Sequence, residues 1–165
     1  RQGLCEQGVS VEFQGASMKI GLVCSHGGHL TELLYLLEAF EGHDIFFITY
    51  DNPRTKGLHY RMYLLDNIGT NPLLFAFAFP KIVRIFRKEK PETIVSTGSE
   101  IAIPAFYAAK AMGIRTIFIE SWCRVTTRSG TGKLVYPVSD QFLVQWPDLL
   151  CLYGPKAKYV GAVVG

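Results

Sequence analysis

The stretch Lys19–Leu37, KIGLVCSHGGHLTELLYLL, decides how the rest of the chain is read. An apolar run containing Ile20, Leu22, Val23 and Cys24 breaks at Ser25-His26-Gly27-Gly28-His29 and resumes as a helical pattern. A short apolar run bounded by glycines suits a buried strand. Leu30, Leu33, Leu34, Leu36 and Leu37 then recur at helical spacing and leave Thr31 and Glu32 for solvent. The unit is strand, glycine turn, helix. Two adjacent glycines let the backbone turn sharply and approach a ligand closely. The helix that follows begins with unpaired N–H groups and the positive end of its dipole. Such a turn takes an anion, commonly a phosphate. The double glycine is not a GxGxxG or Walker pattern, and a βα turn with a purely structural role accounts for the same residues.

The device recurs downstream. Thr93-Ile94-Val95-Ser96 enters a strand, Thr97-Gly98-Ser99-Glu100 makes a turn, and a helix of small residues runs from Ile101 to Met112 and stops at Gly113. Between the two units, Asp44–Thr49 gives a second strand that closes in the turn cluster Tyr50-Asp51-Asn52-Pro53, and Met62–Leu65 is a shorter apolar run. Beyond them, Arg115–Ile119 is a strand that delivers Glu120-Ser121-Trp122-Cys123-Arg124 at its carboxyl end. Phe142–Val144 and Tyr159–Gly161 supply the last two strands. Strands alternating with helices specify an α/β fold, a Rossmann-like doubly wound parallel sheet with helices on both faces. Ligands of such sheets collect beyond the carboxyl ends of the strands, which is where the loops at 25–29, 97–100 and 120–133 lie.

With 165 residues, the chain holds one domain with a real core and is too short for two of ordinary size. A net charge of +3 argues against nucleic-acid binding by bulk charge, so any anion site must be local. Cys5, Cys24, Cys123 and Cys151 are scattered without a CxxC spacing and read as reduced cytosolic thiols. No stretch reaches the ~18 uninterrupted apolar residues that span a bilayer. Residues 1–17, RQGLCEQGVSVEFQGAS, carry no apolar secretory core and read as a flexible extension or remnant, with the domain over residues 18–165.

Leu73–Lys90, LLFAFAFPKIVRIFRKEK, is the most amphipathic segment. Pro80 either kinks it or starts a second helix. Phe75, Phe79, Ile82, Val83 and Phe86 fall on one side, with Lys81, Arg84, Arg87 and Lys88 as a basic flank. The segment reads either as a helix packed on the sheet with solvated charges or as a surface that lies on an anionic membrane. His29 is placed to point into the crevice, where it binds phosphate or exchanges a proton with a hydroxyl; satisfaction by backbone alone is the other reading. Glu120 follows four apolar strand residues and reads as a general base, as a ligand for sugar hydroxyls, or as a cap for the next loop's amides or a partner of Arg124. Arg124, Arg128 and Lys133, set among Thr126, Thr127, Ser129, Thr131 and two glycines, make a loop able to wrap a diphosphate or simply to be solvated. There is no DxD triplet, and no metal is expected.

Taken together, LVCSHGGHLTELL (22–34), VSTGSEIAIP (95–104), FIESWCRV (118–125), SGTGKLVYPVSD (129–140), FLVQWPDLL (142–150) and YGPKAKYVG (153–161) resemble the PssD/EpsE-type polysaccharide biosynthesis proteins. Those are similar to the acceptor-binding, membrane-recruiting subunit of the dolichol-pathway N-acetylglucosaminyltransferase. The resemblance covers Met18 to Gly165. It implies the amino-terminal half of a GT-B glycosyltransferase, laid out like MurG. This half binds a polyprenyl-diphosphate-linked sugar at the membrane, and a partner subunit binds the UDP-sugar donor. Carried onto this sequence, Ser25, Gly27, Gly28, Thr97, Gly98, Ser99 and Glu100 face the acceptor diphosphate and sugar. Glu120 sits at the interdomain cleft, lined by Arg124, Thr131, Gly132 and Lys133. His29 or Glu120 is the expected base. Phe75, Phe79, Lys81, Arg84 and Arg87 are the expected membrane contact, since the membrane anchor of the eukaryotic members is not read here.

The expectation is a subunit of an inverting transferase in capsular, exopolysaccharide or lipid-linked oligosaccharide synthesis, cytoplasmic and peripheral on the inner face of the cell membrane, active with its partner, without a cofactor and without nucleic acid. A non-catalytic scaffold that activates the partner is the alternative. A stand-alone nucleotide-binding Rossmann protein is disfavoured by the missing GxGxxG and by the absence of an acidic residue closing the second strand.

Overall fold

The computed structural model describes residues 16–69 and 71–163, so all but the last two residues of the expected extension over 1–17 lie outside the described residues. Among the described residues, the strands β1 (Lys19–Val23), β2 (Asp44–Tyr50), β3 (Met62–Leu65), β4 (Thr93–Ser96), β5 (Arg115–Ile119), β6 (Gln141–Val144) and β7 (Ala157–Tyr159) form one sheet in the order β3-β2-β1-β4-β5-β6-β7. Every pairing is parallel. The helices are α1 (Gly28–Tyr35), α2 (Pro53–Lys56), α3 (Pro72–Glu89), α4 (Ala102–Ala111), α5 (Gly130–Val135) and α6 (Asp148–Tyr153). The expected doubly wound parallel sheet is present. Its last strand lies at 157–159 rather than 159–161, after a turn in which the Ala157 N–H donates to Gly154 O.

The chain winds outward from β1 in both directions, so its order reverses between β1 and β4. The loops after these two strands are therefore neighbours, and a crevice opens between them. Apolar side chains cover both faces of the sheet. Leu30, Leu33 and Phe40 pack on Ile20, Leu22, Phe47 and Val95 on one side. Ile82, Phe86, Ala102 and Phe106 from α3 and α4 pack with Phe46, Ile94 and Phe118 on the other. On this second side Gly21 lies opposite Phe46 and Ile94 in the two ladders. A Cβ there would come 2.6 Å from Ile94 Cδ1 and 2.8 Å from Phe46 Cζ, so the two neighbours close over a position that has no side chain.

The opposite edge of the sheet is locked electrostatically. Lys19 and Arg61 each pair with Asp44 and Glu89, at 2.5–3.3 Å, and the Tyr63 hydroxyl donates to Glu89. Glu89 is buried at the end of α3, which ties that helix to the amino ends of β1 and β2.

Of the two readings of Pro80, a kink or the start of a second helix, the second start is not observed: α3 runs as one helix from Pro72 to Glu89 with Pro80 inside it. The Asn71 side chain accepts from Leu73 N at its start, and Lys90, with φ +53, closes it. Pro80 is exposed and removes one backbone donor. The carboxyl half of α3 buries Ile82, Ile85 and Phe86, whereas Leu73 and Phe77 in the amino half are each 70% exposed.

Candidate functional site

The crevice at the β1/β4 reversal is a cleft of about 760 Å³. Its floor comes from Gly28, His29 and Glu32 of α1 and from Gly98, Ser99 and Glu100 after β4. One wall comes from Ser121, Cys123 and Arg124 after β5 and from Ser129, Gly130 and Thr131 at the start of α5. Phe75, Ile103 and Leu134 form an apolar end. The three loops expected at the carboxyl edge are brought together here.

The first loop works differently from the expectation. Neither Gly27 nor Gly28 has a positive φ, and a Cβ on either would meet nothing within 4 Å. What the pair supplies is an open backbone surface at the start of α1, where Gly27 O accepts from Leu30 and Thr31 N–H and no side chain caps the helix. The second loop does need special backbone. Gly98 has φ +122 and Ser99 φ +78, and a Cβ on Gly98 would lie 2.8 Å from His29 Cε1. The two loops clasp each other: Thr97 Oγ1 donates to His29 O at 2.7 Å, and His29 Nδ1 lies 2.9 Å from Thr97 O.

That second contact fixes the chemistry of His29. A carbonyl only accepts, so Nδ1 carries the proton, and in the neutral ring Nε2 is left with its lone pair. Nε2 makes no hydrogen bond among the described residues, and the ring lines the cleft. Burial lowers the His29 pKa below its ordinary value. The Thr97 carbonyl and the charges of Glu100 and Glu120 oppose the shift, and Arg124 adds to it. The ring is thus neutral near pH 7 and able to accept a proton at Nε2.

Glu120 is placed differently. It is 1% exposed and is not part of the cleft lining. Oε1 accepts from Ser121 N at 2.9 Å. Oε2 accepts from Ser129 N at 3.2 Å, from Ser129 Oγ at 3.0 Å and from the Tyr153 hydroxyl. Of the readings left open for it, the cap of the next loop's amides is the one observed, and no pairing with Arg124 occurs. Ser129 Oγ in turn accepts from Gly132 N at 2.8 Å. Gly132 has no room for a side chain, since a Cβ would fall 2.6 Å from Glu120 Oε2 and against the Tyr153 hydroxyl. The carboxylate thus shapes the loop that carries Arg124 and Thr131 to the cleft.

Arg124 lines the cleft without a carboxylate partner among the described residues. Lys133 is exposed and outside the lining, and Arg128 lies over the Tyr153 ring at 5.9 Å. Ser25, Gly27, Thr97 and Gly132 are not among the residues that line the cleft. Glu100 faces the cleft with both oxygens engaged, by Tyr50 OH at 3.0 Å and Ser99 Oγ at 2.8 Å. Phe75 faces the cleft rather than the outer surface, while Phe79, Lys81, Arg84 and Arg87 are exposed. Lys81 pairs with Asp66 at 3.2 Å.

One expectation is overturned outright. Glu32 does not face solvent; it is 1% exposed and lines the cleft. Its carboxylate accepts from Ser121 Oγ at 2.8 Å and from Gln145 Nε2 at 2.9 Å, and burial pushes its pKa up. The leucine spacing of α1 gave no sign of this, because the residues that cover Glu32 come from the ends of β5 and β6. Among the described residues no group of three or more His, Cys, Asp or Glu is placed to hold a metal ion.

A family model described as "Oligosaccharide biosynthesis protein Alg14 like" matches residues 66–163. The chain is 27% identical to the UDP-N-acetylglucosamine transferase subunit ALG14 of Mus musculus, over 90% of this chain and 84% of that protein. It is 35% identical to the same subunit of Rattus norvegicus over 68% of this chain and 51% of that one, so the match spans about half the rat protein. Among solved structures, MurG of Acinetobacter baumannii superposes with a TM-score of 0.73 at 16% identity, over 88% of this chain and 45% of that one. The UDP-GlcNAc 2-epimerase of Methanocaldococcus jannaschii gives 0.70 at 18% identity, over 88% and 46%. The chain thus shares its fold with a little under half of each of these proteins.

Proposed function

The chain belongs to the Alg14-like oligosaccharide biosynthesis family, and from that premise we propose that it is the acceptor-binding subunit of an inverting glycosyltransferase of lipid-linked oligosaccharide synthesis. Its substrate is a sugar on a polyprenyl diphosphate. A partner subunit binds the UDP-sugar, for which the relatives' description as UDP-N-acetylglucosamine transferase subunits supports an N-acetylglucosaminyl donor. The observation that carries the reading is His29, whose Nδ1 proton is held by Thr97 O and whose Nε2 has no hydrogen-bond partner among the described residues, in a cleft that also holds Arg124, which has no carboxylate partner among them.

The diphosphate is bound by Arg124 and the uncapped start of α1, with Thr131 beside Arg124 on the same wall. The acceptor hydroxyl is held against Nε2. As its oxygen attacks the anomeric carbon of the donor, its proton passes to Nε2, the bond from that carbon to the UDP oxygen breaks, and UDP leaves with the electron pair. Attack from the face opposite the leaving group inverts the anomeric centre. The Thr97 carbonyl and the neighbouring carboxylates favour the imidazolium that forms. Glu120 holds the loop and does not touch the substrate.

The lipid leaves by the apolar end at Phe75, Ile103 and Leu134, beside the exposed amino half of α3. Leu73, Phe77 and Phe79, with Lys81, Arg84 and Arg87 further along the helix, then rest on an anionic membrane as a peripheral contact. No helix of the described residues is long and apolar enough to cross a membrane. Reconstitution with the partner, a UDP-sugar and a lipid-diphosphate acceptor tests the proposal. Turnover that needs both subunits and falls with His29→Ala is expected. Turnover by the partner alone that this chain merely increases overturns the catalytic role in favour of a scaffold.

A further inference from the structure

Gln145, at the carboxyl end of β6, is 1% exposed and lies outside the cleft lining. Nε2 donates to Glu32 Oε2 and to the Glu120 carbonyl, each at 2.9 Å, and Oε1 accepts from Val163 N at 2.8 Å. Two acceptors on one side and a donor on the other fix the orientation of the amide. Glu32 in turn accepts from Ser121 Oγ, on the cleft wall. The next residue reinforces the tie, because Trp146 Nε1 donates to Trp122 O at 2.7 Å. A continuous path of hydrogen bonds therefore runs from the Val163 N–H, through the buried Gln145 side chain, to the wall that carries Ser121 and Arg124. The segment and Gln145 together border a second cavity of about 280 Å³, between the end of α1 and the ends of β5 and β6.

We propose that Gln145 is a positioning residue that couples the seating of segment 160–163 to the Ser121–Arg124 wall of the cleft. With Val163 N bonded to Oε1, Nε2 is held on Glu32 and the Glu120 carbonyl. When the segment moves away, Oε1 is left buried without a donor, the amide shifts to find one, and the hydrogen bonds that fix the Ser121 wall are lost.

Cys123 reports on the wall because it lines the cleft and is exposed. The experiment uses the full chain carrying Cys5→Ser and Cys151→Ser, which leaves the buried Cys24 as the other thiol, and follows Cys123 labelling by an aromatic disulfide reagent with hydrogen exchange over 120–124. Val163→Pro removes the single N–H without touching the cleft. It is expected to raise the labelling rate at least fivefold and to speed exchange at 120–124, with the melting temperature little changed. Gln145→Met is expected to do the same, and the double variant to go no further than Gln145→Met alone. Unchanged labelling in Val163→Pro, or effects that simply multiply in the double variant, overturn the coupling. In the reconstituted transferase, and resting there on the reading above, Val163→Pro raises the acceptor KM more than it lowers kcat. The labelling result stands or falls without any activity.

Discussion

Replacing Glu120 by Gln separates a residue that shapes the cleft from one that acts in it. The substitution keeps the shape and changes one oxygen to an amino group. If the amide carbonyl takes the Oε2 position, it keeps the donors Ser129 N, Ser129 Oγ and Tyr153 OH, and the amino group then faces Ser121 N, donor against donor. A hydrogen bond to a charged group is worth about 1.5–3 kcal/mol, and the remaining three weaken on becoming neutral. Relief of the cost of burying a charge offsets part of the loss, which leaves a destabilisation of about 2–4 kcal/mol. For a domain of this size that is a fall in melting temperature of roughly 10 °C. The assay pairs thermal and urea unfolding with turnover measured well below the transition, where activity within tenfold of the parent is expected. An unchanged melting temperature with turnover reduced a hundredfold or more refutes the reasoning and makes Glu120 a group that touches the substrate.

The pH dependence of stability isolates His29. Its folded pKa lies below the unfolded value of about 6.5, so the unfolded chain takes up the proton more readily; the stability it contributes is present above that value and is lost as pH falls toward the folded pKa. Urea titrations of the parent and His29→Gln between pH 7.5 and 5, conditions chosen to bracket that window, should differ by a smaller acid loss in the variant; parallel curves contradict the assignment. Gly98→Ala places a methyl against the His29 ring from a backbone with φ +122. It should cost about 1–3 kcal/mol and lower turnover at least tenfold by displacing the imidazole from Thr97 O; a variant with parental kinetics contradicts the clasp. Liposome flotation should weaken on charge reversal at Lys81, Arg84 and Arg87 only when anionic lipid is present, and on Leu73→Ser with Phe77→Ser in either lipid. Unchanged flotation in both makes the helix face merely solvated.

The sheet was legible because its strands are short apolar runs between glycine and proline punctuation. The doubling of the strand-turn-helix device also put the loops at 25–29 and 97–100 at the carboxyl edge, while the strand order that makes them neighbours came only with the structure. Contacts far apart in sequence were not legible. His29 meets Thr97 across 68 positions, and Glu32 meets Gln145 across 113. Helical spacing therefore gave Glu32 to solvent, while the fold encloses it. Glu120 was visible as a carboxylate in an awkward place, but its role depends on Tyr153, a residue with no local signal. In α3 the amino half is apolar nearly all round, so its period does not single out a buried side. The structure turns Phe75 toward the cleft and leaves Phe77 exposed.

The proposed transfer of the acceptor hydroxyl proton to His29 Nε2 sets the pH–rate profile of the reconstituted transferase, to be measured with and without His29→Ala. The parent should show an acid limb with a midpoint below about 6.5, the ordinary histidine value. The variant should lose that limb and fall in kcat by roughly 10²–10⁴ with little change in acceptor KM. Full turnover by His29→Ala, with the acid limb intact, would contradict the account.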